Sequence, residues 1–445
     1  MATRGAGKLF CTIGLVVLAG AWATGGVRVV HADEPPVAAI ERRLTLHEAL
    51  ALMNVRNAEV RVARVGIDAA AADQLAARAR PNPTLSLSSV GIAPRFGTGP
   101  GVDGRRSTDV TVALSQLFER GDKRALRGDV ARFAFEAARS DAAEIRRQQG
   151  LLVASSYYEL LLAQERVRVV AETAALMQRS VSATEVRLKA GDVAQSDLAR
   201  IRVDRLRVEN DLRQATAEVS RARQRLAFLV GLEREAEALV AADAWPDTDA
   251  GRTGSGAYAG AGIDAIVDAR LDVTAARQRL DAAAKVRDLA RALTTRDVLV
   301  SGLYERYPGQ PTNRTVGVGV SVPLFLNYQY DGEIRRAETQ VTLARDVLDR
   351  TRAASFTEIA RARSDLAAAR DRVQRFDAAL LAEAARSAEA AEFAYRHGAL
   401  GVIDLLDARR ILYSTRIDAA AARADLARAL VAWEAAVQPF REDPR

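Results

Sequence analysis

"TVGVGVSVPLF", Thr315 to Phe325, carries Val316, Val318, Val320 and Val322 with small or polar residues between them. Alternation at period two sends successive side chains to opposite faces of an extended strand, so one face is apolar and the other small and polar. Three further runs share this character: "DVLVSGLY" from Asp297, "TLSLSSVGI" from Thr84, and "TDVTVALSQLF" from Thr108, in which Val110, Val112 and Leu114 alternate with smaller residues. Strands are therefore expected over 84–92, 108–118, 297–304 and 315–325.

Working outward, the chain repeats itself. At an offset of 207 residues, Leu117 and Phe118 meet Leu324 and Phe325, Glu185 meets Glu392, and Gly191 meets Gly398. Asp197, Leu198, Arg202, Asp211 and Arg221 likewise meet Asp404, Leu405, Arg409, Asp418 and Arg428. Glycines and phenylalanines in register indicate two related halves. The first, 33–234, opens with Thr45 and Glu48 spaced as a capping box and is read as one helix from there to Arg80, ended by Pro81 and Pro83. Its strands lead into a proline-free stretch from Lys123 to Ala190, and the second half, 263–438, offers Gly332 to His397. Roughly 67 residues at about 1.5 Å each span about 100 Å, so each half is expected to end in a long helical hairpin. The hairpins turn at Gly191 and Gly398. Residues 235–262, with "DTDAGRTGSGAYAGAG", are expected to be a flexible linker, and 439–445 a tail.

The first 32 residues read as a secretory signal: cationic Arg4 and Lys8, an apolar run from Leu9 to Ala21, and small residues at two cleavage points, Ala23 and Ala32. The single cysteine, Cys11, lies in that run, so the mature chain has no thiol for a disulfide or a metal. The formal charge of +7 loses Arg4, Lys8 and Arg28 on cleavage at Ala32, giving 7 − 3 = +4. Charges are interspersed, as in "RIRVDRLRVENDLRQ", and aromatics make up 5%, which argues against nucleic acid as a partner. Of the three histidines, His31 falls in the signal, and His47 and His397 stand alone with no HxxxH or CxxC spacing. No resident metal, cofactor, phosphate-cradling loop or nucleophile–base set is expected, and hence no enzyme activity.

Exported, alternating strands of about nine residues suit a transmembrane barrel. Four strands cannot close one, and hydrocarbon tolerates no open edge. Copies must then pool strands, a dimer giving 8, a trimer 12 and a tetramer 16; the competing reading is a small soluble sheet between coiled coils. Alanine and apolar residues spread around the helices, Leu126, Val130, Phe133 and Ala137 on one line and Leu151, Tyr157 and Leu161 further along, as suits a wall in which each helix has two neighbours.

These features together resemble the TolC-like outer membrane factors over nearly the whole mature chain. "VIDLLDARRILY", Val402 to Tyr413, resembles the family helix beyond the hairpin turn. "SQLFERGDKRALR", Ser115 to Arg127, is similar to the "QxxExGGKR" stretch of the heavy-metal cation efflux branch, with Asp122 at the second glycine. "LTLHEALALMNVRNAEV" resembles the family's opening, with Ala58 where proline is usual. The resemblance implies a mostly α-helical fold: a homotrimer with a 12-stranded barrel in outer membrane lipid and a helical tunnel through the periplasm. It implies partners too, a periplasmic adaptor and an inner-membrane pump, proton-driven, with this chain a passive conduit for heavy-metal cations. Type I protein secretion or drug efflux would use the same fold with other partners, and a soluble periplasmic scaffold is the remaining alternative.

Asp404 and Asp407 lie three residues apart, on one helix face, just past Gly398. The family's matching aspartates line the closed periplasmic entrance, so the resemblance makes these two acidic rings that favour cations; the plain alternative is carboxylates stabilising a helix N-terminus. Tyr395 and Asp197 match the family's gate latch, which implies a hydrogen bond between them in the closed state, while Leu400 stands where the latch arginine would be. The tips Gly191, Asp192, Val193, Gly398, Ala399, Leu400 and Gly401 are expected to touch the adaptor.

Overall fold

The computed structural model describes residues 41–90, 92–93, 97–98, 109–247, 262–307, 313–437. The signal sequence, the glycine-rich part of the linker and the tail at 439–445 lie outside these residues. The first half runs β1 (Arg42–Leu44), α1 (Leu46–Arg56), α2 (Ala58–Arg78), β2 (Thr84–Val90), β3 (Ile92–Ala93), β4 (Gly97–Thr98), β5 (Asp109–Phe118), α3 (Lys123–Ala190) and α4 (Gln195–Val230). A 3₁₀ turn, Glu233–Ala238, and β6 (Leu239–Ala241) follow. The second half comprises α5 (Ile263–Ala269), α6 (Leu271–Ala292), β7 (Val298–Tyr307), β8 (Asn313–Ser321), α7 (Asp331–Arg375), a π-helical turn at Phe376–Leu380, α8 (Leu381–Arg396) and α9 (Val402–Val437).

Strands β2, β5, β7 and β8 form one antiparallel sheet in that order, with β2 and β8 at its edges. The register segregates its chemistry. Leu87, Val112, Tyr304 and Val316 stand in one row across the four strands, and Leu85, Leu114, Gly302 and Val318 in another. This face is bare: Val318 is 82% exposed and Leu87 71%. The opposite face carries Ser86, Ala113, Leu303 and Gly317, then Ser88, Thr111, Glu305 and Thr315. The sheet is thus apolar on one side and mainly polar or small on the other. The second-half strands sit differently from expectation. β7 extends to Tyr307, and β8 starts earlier and stops at Ser321, since Pro323 has no N–H to donate.

The helix expected from Thr45 to Arg80 is two helices. Asn57 breaks it with an extended ψ of 131°. Its carboxamide oxygen accepts from Val60 N at 3.2 Å, and its nitrogen donates to Leu229 O at 2.9 Å and Gln149 Oε1 at 3.3 Å. Ala58 is the first residue of α2, a position where proline is tolerated, so the asparagine cap preserves the bend without one.

The linker reading also needs correction over its first third. β6 pairs in parallel with β1, and Gln164 holds the main chain of Ala241 with two hydrogen bonds of 2.9 and 3.2 Å. Tyr157, with no exposed surface, donates its hydroxyl to Leu44 O at 3.1 Å and accepts from Ala242 N and Asp243 N at 3.1 and 3.0 Å. Burial pushes the pKa of this phenol well up, keeping it neutral. Around it Met53, Leu160, Leu226, Val230 and Leu239 form the largest core cluster.

A second knot lies in the other half, where Arg270 (7% exposed) separates α5 from α6. It binds Asp272 at 2.9 Å and Glu358 at 2.6 Å, and Arg147 reaches Glu358 at 3.3 Å and Glu144 at 2.7 Å. Burial works against the Asp272 carboxylate, yet Arg270 and Ser355 outweigh it and hold its pKa below the ordinary value.

Several residues of the Gln116–Arg127 stretch have a mechanical task where sheet becomes helix. Gln116 donates to Pro81 O at 2.9 Å, Glu119 pairs with Arg127, and buried Lys123 binds Asp297 Oδ1 and Thr295 O, both at 2.8 Å. Gly121 has φ +71°, and a Cβ there would lie 2.8 Å from the Thr295 side chain. Asp122 is also left-handed, at φ 57°, which explains why a glycine suits the position and why aspartate is a tolerable replacement. Asp122→Val is expected to destabilise by about 1–2 kcal/mol relative to Asp122→Gly. Thermal unfolding of the two variants measures the difference; equal midpoints would refute the account of this turn.

Candidate functional site: the hairpin tips

Helix α3 runs 68 residues without interruption, about 100 Å, to Gly191. There Gly191 adopts φ +83°, and its N–H and that of Asp192 bond back to Leu188 O and Arg187 O, both at 3.0 Å. At the other tip Gly398 has φ +74°, with Gly398 N to Tyr395 O at 3.1 Å and Ala399 N to Ala394 O at 2.9 Å. Both are glycine-terminated helix ends of one design. Met177, Val181, Leu198, Ile201, Val402 and Leu406 form a buried cluster just behind the tips, joining the two hairpins. Gly191, Asp192, Gly398, Ala399 and Gly401 are exposed, and Val193 and Leu400 half-buried.

Asp404 and Asp407 stand on the exposed side of α9, while Val402, Leu405 and Leu406 between and beside them are buried. Among the described residues neither carboxylate has an ion pair or side-chain hydrogen bond. Asp407 borders a groove of about 510 Å³ between α4 and α9, with Arg200, Asp204, Arg207 and Arg410 along it. The first turn of α9 contains Asp404, so the helix end also favours it.

Tyr395 and Asp197 are not brought together. The Tyr395 hydroxyl lies 3.4 Å from Thr184 Oγ1, and the Arg187 guanidinium sits 4.9 Å above its ring while donating to Tyr395 O at 3.4 Å. Asp197 instead faces Arg200, at 3.9 Å. In this structure Thr184 and Arg187, one turn apart on α3, occupy the tyrosine's polar edge and face.

One repeated pair of residues acquires its role only in the folded hairpins. Glu185 and Arg202 recur 207 residues on as Glu392 and Arg409, and the structure makes both pairs salt bridges across a hairpin, at 2.7 and 3.2 Å. The second is the more enclosed, with the Arg409 side chain 12% exposed against 54% for Arg202. Burial raises the Glu392 pKa, but Arg409 and then Arg396 lower it further, so the net shift is downward. Among the described residues no group of three or more histidine, cysteine or acidic side chains could hold a metal ion, and no helix is long and apolar enough to cross a membrane.

The sequence profile of outer membrane efflux proteins matches residues 49–232 and 262–437. The chain belongs to that family. Its curated relatives include the cobalt-zinc-cadmium resistance protein CzcC of Cupriavidus metallidurans, 27% identical over 377 residues, covering 84% of this chain and 85% of CzcC. Protein CyaE of Bordetella pertussis is 29% identical over 342 residues, 72% of this chain and 69% of CyaE. Among solved structures, the outer membrane protein VceC of Vibrio cholerae has the same fold, with a TM-score of 0.72 at 18% identity over 88% of this chain and 95% of VceC. The protein is located in the bacterial outer membrane, with its helical part in the periplasm. The recurring Glu–Arg pairs therefore lie at the periplasmic end.

Arg409→Ala is expected to cost about 1–2 kcal/mol and Arg202→Ala about 0–1 kcal/mol, since enclosed pairs are less screened. Because the Glu392 pKa is depressed on folding, its contribution is present at neutral pH and is lost as pH falls through the folded value, below the ordinary glutamate range. The Arg409→Ala deficit in thermal unfolding is thus expected to shrink between pH 7 and pH 3; a pH-independent deficit would refute the role of the carboxylate.

Proposed function

We propose that three copies of the chain close a 12-stranded barrel and that the trimer is the outer membrane conduit of a tripartite efflux system. It receives heavy-metal cations from an inner-membrane pump through a periplasmic adaptor. One observation carries the reading: the sheet is apolar on its exposed face yet open along β2 and β8, so a membrane-embedded copy needs neighbours whose edges complete it. The choice of three follows the family resemblance, and the cargo follows CzcC, whose name specifies cobalt, zinc and cadmium.

In this trimer each of Asp404 and Asp407 becomes a ring of three carboxylates near the periplasmic entrance. Their exposure and lack of internal partners leave the charge free to act on the pore. The exposed tips Gly191–Val193 and Gly398–Gly401 are the adaptor contacts. Tyr395, fastened to Thr184 and Arg187, ties the second hairpin to the first, and Asp197 faces Arg200 at the first tip.

Detergent-extracted protein is expected to run as a heat-modifiable species of three chains, and loss of the gene to sensitise cells to zinc, cobalt or cadmium. A monomer folded in plain buffer would refute the conduit; sensitivity to drugs alone would refute only the cargo. In planar bilayers Asp404→Asn combined with Asp407→Asn is expected to lower the cation-to-anion permeability ratio at least about twofold. An unchanged ratio would remove both aspartates from the entrance.

A further inference from the structure

Two arginines face each other at the outward end of the apolar face. Arg306 on β7 is the direct cross-strand partner of Arg314 on β8, in the row completed by Ser89 and Val110. The row beneath it is Leu87, Val112, Tyr304 and Val316. Side chains so paired have Cβ atoms about 4.5–5.5 Å apart, and like charges in that relation repel. Both residues are exposed, and neither has an ion pair or side-chain hydrogen bond among the described residues. The neighbouring acid does not serve them. Glu305 belongs to the opposite face, where it accepts a 2.6 Å bond from the Tyr307 hydroxyl.

Their level in the membrane follows from the strand. Arg306 is eight residues beyond Val298, which at about 3.3 Å per residue and a tilt of about 40° places it roughly 20 Å above the base of the sheet. Exposed Leu324 and Leu326, beyond the Ser321 end of β8, carry the apolar surface past the base of the sheet, so an outward band about 25 Å tall that begins there ends near Tyr304, an aromatic of the kind that edges such bands, and the arginines reach the headgroups. A cationic pair is tolerated on this face only near the interface. Two planar guanidinium forks converging from adjacent strands match the oxygens of a phosphate, and an anion between them turns their repulsion into attraction.

We propose that Arg306 and Arg314 form a clamp for the phosphate group of a phosphorylated lipid in the outer leaflet. The clamp uses the lipid-facing side and is independent of the cargo, so it rests only on the outer membrane placement of the sheet. Full-length protein in detergent micelles, titrated with bisphosphorylated lipid A, dephosphorylated lipid A and inorganic phosphate, provides the test. The phosphorylated lipid is expected to bind at least about tenfold more tightly than the dephosphorylated one, and R306A/R314A to abolish that preference. R306K/R314K, which keeps both charges, is expected to retain part of it. Heat-modifiable migration confirms that each variant folds, and R306Q alone serves if the double alanine variant does not. Equal binding of the two lipids by the unaltered protein, or a preference unchanged in the variants, would overturn the clamp. Displacement of lipid A by inorganic phosphate at equal concentration would overturn the lipid assignment in favour of a free-anion site.

Discussion

Unpaired backbone along β2 and β8 governs the rest of this structure. Inside a bilayer those N–H and C=O groups have no water to bind, and an isolated four-stranded sheet cannot remain there. The sheet is also not divisible between the two halves of the chain, because β5 of the first pairs with β7 of the second through nine facing residue pairs. A half-chain would therefore expose two further edges. The duplication thus produced one indivisible unit, and the junction of Gln116, Gly121, Lys123 and Asp297 sets the strands at a fixed angle on the rods that carry them.

The rods themselves have little interior. Away from the sheet, buried contact is concentrated in the cluster around Tyr157, in the charged knot around Arg270 with Val273 and Ile359 beside it, in a cluster of Leu366, Val373, Leu426 and Leu430 between α7 and α9, and in the apolar cluster behind the tips. Between these stations the helices touch largely through alanines such as Ala419, Ala420, Ala422 and Ala424, which allow close approach and bury little area each. Many of the ion pairs along the rods are exposed and contribute little individually. Such a wall is well suited to lateral sliding of one hairpin against another, with the stations as fixed points.

Much of the architecture could be read from the sequence because it is written in periodicities and punctuation. The valine alternation of β8 announced a two-faced sheet, and Gly191 and Gly398 announced the turns. What escaped was set by tertiary contact. Asn57 breaks a helix by bonding residues 92 and 172 positions away, and β6 is ordered by Arg42–Leu44 and Gln164, none of which is adjacent in sequence. The candidate site was legible in part: the two aspartates are exposed on one face as the spacing required, but Tyr395 found Thr184 rather than Asp197 because the arrangement of two helix ends is not encoded in either alone. The Glu–Arg bridges were visible as repeated letters, and only the hairpin geometry gave them a meaning.

The π-helical turn at Phe376–Leu380 separates the two hairpins further than their duplication suggests. Leu381 N bonds to Phe376 O, five residues back, while α3 has no such turn. From Phe118 to Gly191 and from Phe325 to Gly398 the residue count is the same, yet one residue of the second rod is spent on the wider turn. That rod arrives at its end about 1.5 Å shorter and rotated by about 100° relative to the first. Measured from the sheet, matching side chains beyond the bulge therefore point in different directions in the two rods, while the Glu–Arg bridge within each hairpin is kept, so the two tips of one chain are not interchangeable to a molecule that docks across both rods.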